Sequence, residues 1–148
     1  MKRRTIIVSF IAVAITGGAW FGYNEYNRKV KDLADVKAQV TMKTNELINE
    51  FEKDEKSANI QYLDKIIAVK GNVKTIEKDD HGNYSLVLGD AGSMSSVRCS
   101  MDSVHVKDMS NIKVGVEITV KGACTGFNAD ELLGSDVVLN RCVLERSE

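Results

Sequence analysis

Just after Tyr62 and Leu63 the spacing of apolar residues changes from about 3.6 to 2, so everything downstream reads as sheet rather than helix. Over residues 65–78, Ile67, Val69, Gly71, Val73 and Thr75 share one face while Lys70, Asn72 and Lys74 share the other, the pattern of a long half-buried strand. Asp79-Asp80-His81-Gly82-Asn83 is a turn, and residues 84–88 form the return strand. A second turn over 89–93 leads to a third strand carrying Val97, Cys99 and Met101, and a polar linker with helical character covers 102–113. The fourth strand, 116–124, alternates cleanly; a loop over 125–135 separates it from a fifth strand over 137–144. Glycine sits inside both long strands, at Gly71 and Gly122, where a small barrel needs a bulge or sharp coiling and a side chain would clash.

Five strands with a connecting segment between the third and fourth is the OB-fold order. Tyr62-Leu63-Asp64-Lys65, Val69-Lys70-Gly71-Asn72-Val73, Val97-Arg98-Cys99, residues 115–122 and Val138-Leu139-Asn140-Arg141-Cys142 resemble the tRNA_anti-like OB-fold family, over residues 41–146. The resemblance implies a five-stranded barrel with a preceding helix, of a kind found in bacterial membrane-anchored and lipoprotein-like proteins. It does not carry a ligand with it, because function lives in sites and not in folds.

Upstream, Lys2-Arg3-Arg4 is followed by residues 5–24 without a charge. About 19 helical residues at roughly 1.5 Å each reach about 28 Å, close to the hydrocarbon thickness of a bilayer. The cations hold the near end inside, while Trp20 and Tyr23 suit the far interface. The segment is therefore expected to be a transmembrane signal anchor over 1–24, single-pass in the cytoplasmic membrane, with the C-terminal domain in the periplasm. A cleaved secretory signal, with Gly17-Gly18-Ala19 at the cleavage site, and a buried core helix are the competing readings. No cysteine lies nearby to form the lipobox of lipoprotein members.

Between anchor and barrel, Val30, Leu33, Val36, Val40, Leu47, Phe51 and Ala58 follow helical spacing, broken at Lys43-Thr44, with Thr41 a candidate cap for the second piece. Residues 25–62 are thus read as an amphipathic helical stalk whose second half packs on the barrel, or alternatively as a short coiled coil making a homodimer. The expected fold is mainly β: a five-stranded OB-fold barrel over 63–148, preceded by an amphipathic helix and an N-terminal transmembrane helix.

At 148 residues, with 43% hydrophobic and 28% charged residues and no proline, the chain excludes a multidomain enzyme, wholesale disorder and collagen-like architecture. Residues 65–148 carry ten Lys and Arg against twelve Asp and Glu, and only Tyr84 and Phe127 as rings, whereas single-strand binders combine a basic groove with aromatic platforms. Nucleic acid is therefore not the expected partner, and the best case for it is a stripe of Lys70, Lys74, Arg98 and Lys121 on outward strand phases. Phe127 and Leu132, in the loop before the fifth strand, either grip a ligand or cover the open end of the barrel. No Walker, GxSxG or GxGxxG motif occurs, and the two histidines, His81 and His105, are read in separate exposed loops without a CxxC, so no catalytic residue, metal or cofactor is expected. Cys99, Cys124 and Cys142 leave three alternatives in an oxidising compartment: a Cys124–Cys142 bridge, a Cys99–Cys142 bridge, or three buried thiols. Together these features point to a non-enzymatic binding module contacting a protein or envelope component.

Overall fold

The computed structural model describes residues 17–18, 20–23, 26, 32–130 and 134–145. The described residues before Asp32 are helical and expose Trp20, Phe21, Tyr23 and Tyr26; they belong to a separate compact unit and are described by themselves. Among the described residues no helix is long and apolar enough to cross a membrane. The uncharged run over 5–16, on which most of the expected anchor rests, lies outside them.

The second unit begins with a single 3-10 turn, η1 (Leu33–Asp35), capped by the Asp32 carboxylate accepting from the Ala34 N–H at 2.9 Å. It continues into a short strand, β1 (Val40–Lys43), and only then into helices, α1 (Thr44–Lys53) and α2 (Glu55–Tyr62). The helical stalk expected over 25–62 is thus confined, among the described residues, to its C-terminal part. Thr41 cannot cap a helix because it sits mid-strand, paired with Ala68. α1 starts at Lys43 instead, whose N–H donates to Glu46 Oε2 at 2.9 Å, and Asp54 caps α2 through Ser57.

Five strands follow the expected order: β2 (Ile66–Lys78), β3 (Tyr84–Leu88), β4 (Ser96–Met101), β5 (Glu117–Asp130) and β6 (Gly134–Leu144), with the 3-10 segment η2 (Ser103–Asn111) between β4 and β5. The sheet runs β1-β2-β3-β4-β6-β5 and closes through β2–β5, with β4 and β6 parallel, which is OB-fold barrel topology. β2 is long enough to serve two neighbours on one edge. Its residues 67–70 pair with β1, and its residues 73–78 pair with β3 across a bulge between Val73 and Thr75. The expected loop over 125–135 is mostly strand, since β5 and β6 form a hairpin whose pairing continues to Asp130 and Gly134.

The core is filled from the strands by Ile67, Val69, Val73, Leu86, Leu88, Val97, Val120, Val137 and Leu139, and from α1 by Leu47, Ile48 and Phe51, spaced as one helical face. α1 packs on β2, β4 and β6 and closes that end of the barrel. Gly71 permits its approach: a Cβ there would lie 1.9 Å from Thr44 Oγ1, which donates to the Lys70 carbonyl at 3.2 Å. On the opposite, outer face of β5 and β6, η1 buries Leu33, and Lys121 beneath it is only 6% exposed.

Candidate functional site

The four cations of the expected basic stripe do not come together. Lys70 pairs with Glu117 at 3.0 Å, and Lys74, displaced by the bulge, donates to the Ser93 carbonyl. Lys121 is turned under η1, where its ammonium donates to the Ala34 carbonyl at 3.2 Å. Arg98 does face outward on β4, but Glu77 holds it at 2.8 Å and Asp136 at 3.5 Å. The bulge on β2 takes Lys74 out of phase, whereas Lys70, Arg98 and Lys121 keep their outward phase and are kept out of a common patch by their acidic partners and by η1.

The outer surface of β2, β3 and β4, where OB-folds commonly bind ligands, is built from two rows across the sheet: Thr75, Val87, Arg98 and Val138, then Glu77, Ser85 and Ser100. It is uncharged or charge-compensated and carries no ring. Tyr84 and Phe127 both pack against the core instead; Lys78 lies 5.2 Å from the centroid of the Tyr84 ring, and Phe127 stacks on Phe51 at 5.1 Å and 23°. Phe127, partly buried, therefore covers the barrel end, while Leu132 lies outside the described residues.

Next to the Ser100 end of this surface lies an open groove of about 580 Å³, bordered by Ser100, Thr125, Asn140 and Arg141 and floored in part by Met101 and Ala123. Asn140 donates to Thr125 Oγ1 at 3.1 Å, and Arg141 takes a positive φ of 55° where β6 bulges. Sequence reading missed this groove. Its one signal is Asn140-Arg141, two adjacent polar residues interrupting an alternating strand. A second open groove, about 740 Å³, runs past Lys70, Glu117, Ile118, Leu144 and Glu145 at the start of β5.

The thiols Cys99, Cys124 and Cys142 are all buried and free, so the expected Cys124–Cys142 bridge is not formed. Two irregularities in the β5–β6 ladder place Cys124 opposite Leu139, and Cys142 packs against Gly122. Burial pushes the Cys124 and Cys142 thiols up, which keeps them protonated and poor nucleophiles. His105 is not in an exposed loop: its Nε2 meets both Asp32 oxygens at 3.0 and 2.8 Å, with Asp108 3.6 Å from Nδ1. The Asp32 hydrogen bond raises the imidazole pKa, and the Ala34 N–H, then His105, lower that of Asp32. Among the described residues no group of three His, Cys, Asp or Glu side chains is arranged to hold a metal.

A structure from Klebsiella pneumoniae described as a "putative nucleic acid-binding lipoprotein" superposes with a TM-score of 0.57 at 18% identity, covering 80% of this chain and all of that one. A structure described as a "putative aspartyl-tRNA synthetase" from Leishmania major gives 0.47 at 12% identity, covering 87% of this chain and 26% of the other. The search of curated proteins finds no match. The tRNA_anti-like family model matches residues 1–143, and the chain accordingly belongs to the tRNA_anti-like family of OB-fold proteins.

Proposed function

We propose that this chain is a non-enzymatic, membrane-tethered binding module whose barrel engages a protein or another envelope component outside the cytoplasmic membrane. The observation that carries this reading is the outer surface of β2–β4, where Glu77 and Asp136 compensate Arg98 and no ring is presented. Such a surface lacks both the field and the stacking platforms of a single-strand binder. It suits a polar partner recognised by hydrogen bonds, and the neighbouring groove adds hydrogen-bonding groups at Ser100, Thr125 and Asn140 beside apolar Met101 and Ala123. Protonated thiols and a histidine committed to Asp32 support the absence of a catalytic role. The tether is proposed from the uncharged N-terminal run and its flanking cations.

The second reading, a single-strand nucleic-acid binder, draws on the description of the Klebsiella protein. Fluorescence anisotropy of labelled single-stranded DNA and RNA with the detergent-solubilised chain separates the two. The expected result at about 50 mM salt is no saturable binding below roughly 10 μM protein; micromolar affinity that falls steeply with salt would overturn the protein or envelope reading. Protease added to spheroplasts is expected to digest the barrel, and protection until lysis would remove the extracytoplasmic placement.

A further inference from the structure

We propose that the 3-10 turn η1 is a pH-operated latch on the barrel, held down while the His105 ring carries both N–H protons and loosened from the outer face of β5 and β6 when the ring gives one up. The ring stands between carboxylates. Its Nε2 lies 3.0 and 2.8 Å from the two Asp32 oxygens, and its Nδ1 lies 3.6 Å from Asp108 Oδ2. A neutral imidazole has one N–H and one bare lone pair, so it serves one carboxylate and turns the lone pair on the other; the imidazolium serves both. Of the remaining charged groups around the ring, Asp102 from its own segment and Glu145 from β6 favour the doubly protonated form, while Lys121 from β5 and Arg141 from β6 oppose it. β3, which also packs on η2, brings no charged side chain.

Asp32 couples the charge on the ring to the seat of η1. The carboxylate that meets Nε2 also accepts the Ala34 N–H at 2.9 Å, which starts the turn. That turn buries Leu33 and offers the Ala34 carbonyl to the Lys121 ammonium at 3.2 Å. With three residues, η1 has few other contacts to hold it. Loosening it uncovers Lys121 and Val143, now 6% and 2% exposed, beside an open groove of about 470 Å³ that Leu144 and Glu145 also border. The Asp32 hydrogen bond raises the His105 pKa, so the latch is closed below 6.5 and opens as pH rises through the higher folded value. The latch depends neither on the tether nor on the partner proposed above.

The test uses the full chain in detergent, with backbone amide exchange followed by NMR from about pH 5 to 9, each rate divided by the intrinsic rate at that pH, and the His105 ring titrated in the same samples. The Ala34 and Val36 amides, bonded to Asp32 and to the Leu33 carbonyl, are expected to lose about two- to fivefold of their protection with the midpoint of the ring, the range of a partly exposed ion pair. Val69 and Val120, in the barrel, should stay level over the same range. In His105→Gln the two η1 amides should exchange at the alkaline level throughout. Level protection across the wild-type ring titration, an equal loss at Val69 and Val120, or a step that survives in His105→Gln would each overturn the proposal. Should that variant fail to fold, Asp108→Asn, which removes one of the two carboxylates, is expected to move the step to lower pH, and an unmoved step overturns the proposal as well.

Discussion

Gly71 and Gly122 are glycines because another atom already stands where their side chains would be: Thr44 Oγ1 for the first, Cys142 Sγ for the second. Gly122→Ala is expected to destabilise the barrel by about 1–3 kcal/mol, the usual range for overpacking a core, and Cys142→Ala in the same chain should return part of that. Urea denaturation of the single and double variants measures the coupling; strict additivity would mean that the clash is relieved elsewhere. The Asp32–His105 contact makes a prediction in pH. Asp32 is shifted down, so its contribution is present above the ordinary carboxylate value of 3.8 and is lost as pH falls through its lower folded value. His105 is shifted up, so its contribution is present below 6.5 and is lost as pH rises through its higher folded value. The contact should therefore be strongest between about 4 and 6.5. Asp32→Asn, which can still cap η1, should lower the His105 pKa in an NMR titration; an unchanged titration would show that Asp108 and the other carboxylates set it.

At the level of elements, α1 acts as the end-plate of the barrel. Phe51 is its centre, 1% exposed, stacked on Phe127 and 5.9 Å from the Tyr62 ring. Phe51→Ala should cost about 3–5 kcal/mol in chemical denaturation, whereas Ile60→Ala, on the exposed side of α2, should stay within about 0.5 kcal/mol. Equal effects would mean that α1 does not seal the core. The helical face of Leu47, Ile48 and Phe51 was legible in the sequence, as were the five barrel strands and the place of η2, because each of these is a local period imposed by one buried face. β1 was not. Val36, Val40 and Leu47 satisfy helical spacing, and only the long-range partner Ile67–Lys70 makes 40–43 a strand, an instance of tertiary context overriding local pattern. The candidate surface was less legible for a related reason. A bulge of one residue reverses every side chain beyond it, and nothing around Lys74 announces the one on β2, while Lys121 keeps its phase and is covered by η1 from a distant part of the chain.

For the second compact unit as a whole, closure through β2–β5 removes most sheet edges, but β3 is too short to cover the lower half of β2. β1 covers it, with the Gln39 N–H extending the contact to the Ile66 carbonyl at 2.8 Å. Deleting residues 32–43 would uncover that row of backbone groups and leave the buried Lys121 without its carbonyl partner. Concentration-dependent association by light scattering is the expected outcome, and a well-behaved monomer would show that the edge needs no cover. The order of contacts along this segment also has a mechanical meaning. A pull transmitted through residue 31 would reach the Asp32–His105 contact first, then η1 seated over Lys121, then the β1–β2 row, and only afterwards α1 and the core. The N-terminal edge of this unit is thus held by a graded series of clasps, and tension along it would be spent on these before the packing of α1 and the barrel core is disturbed.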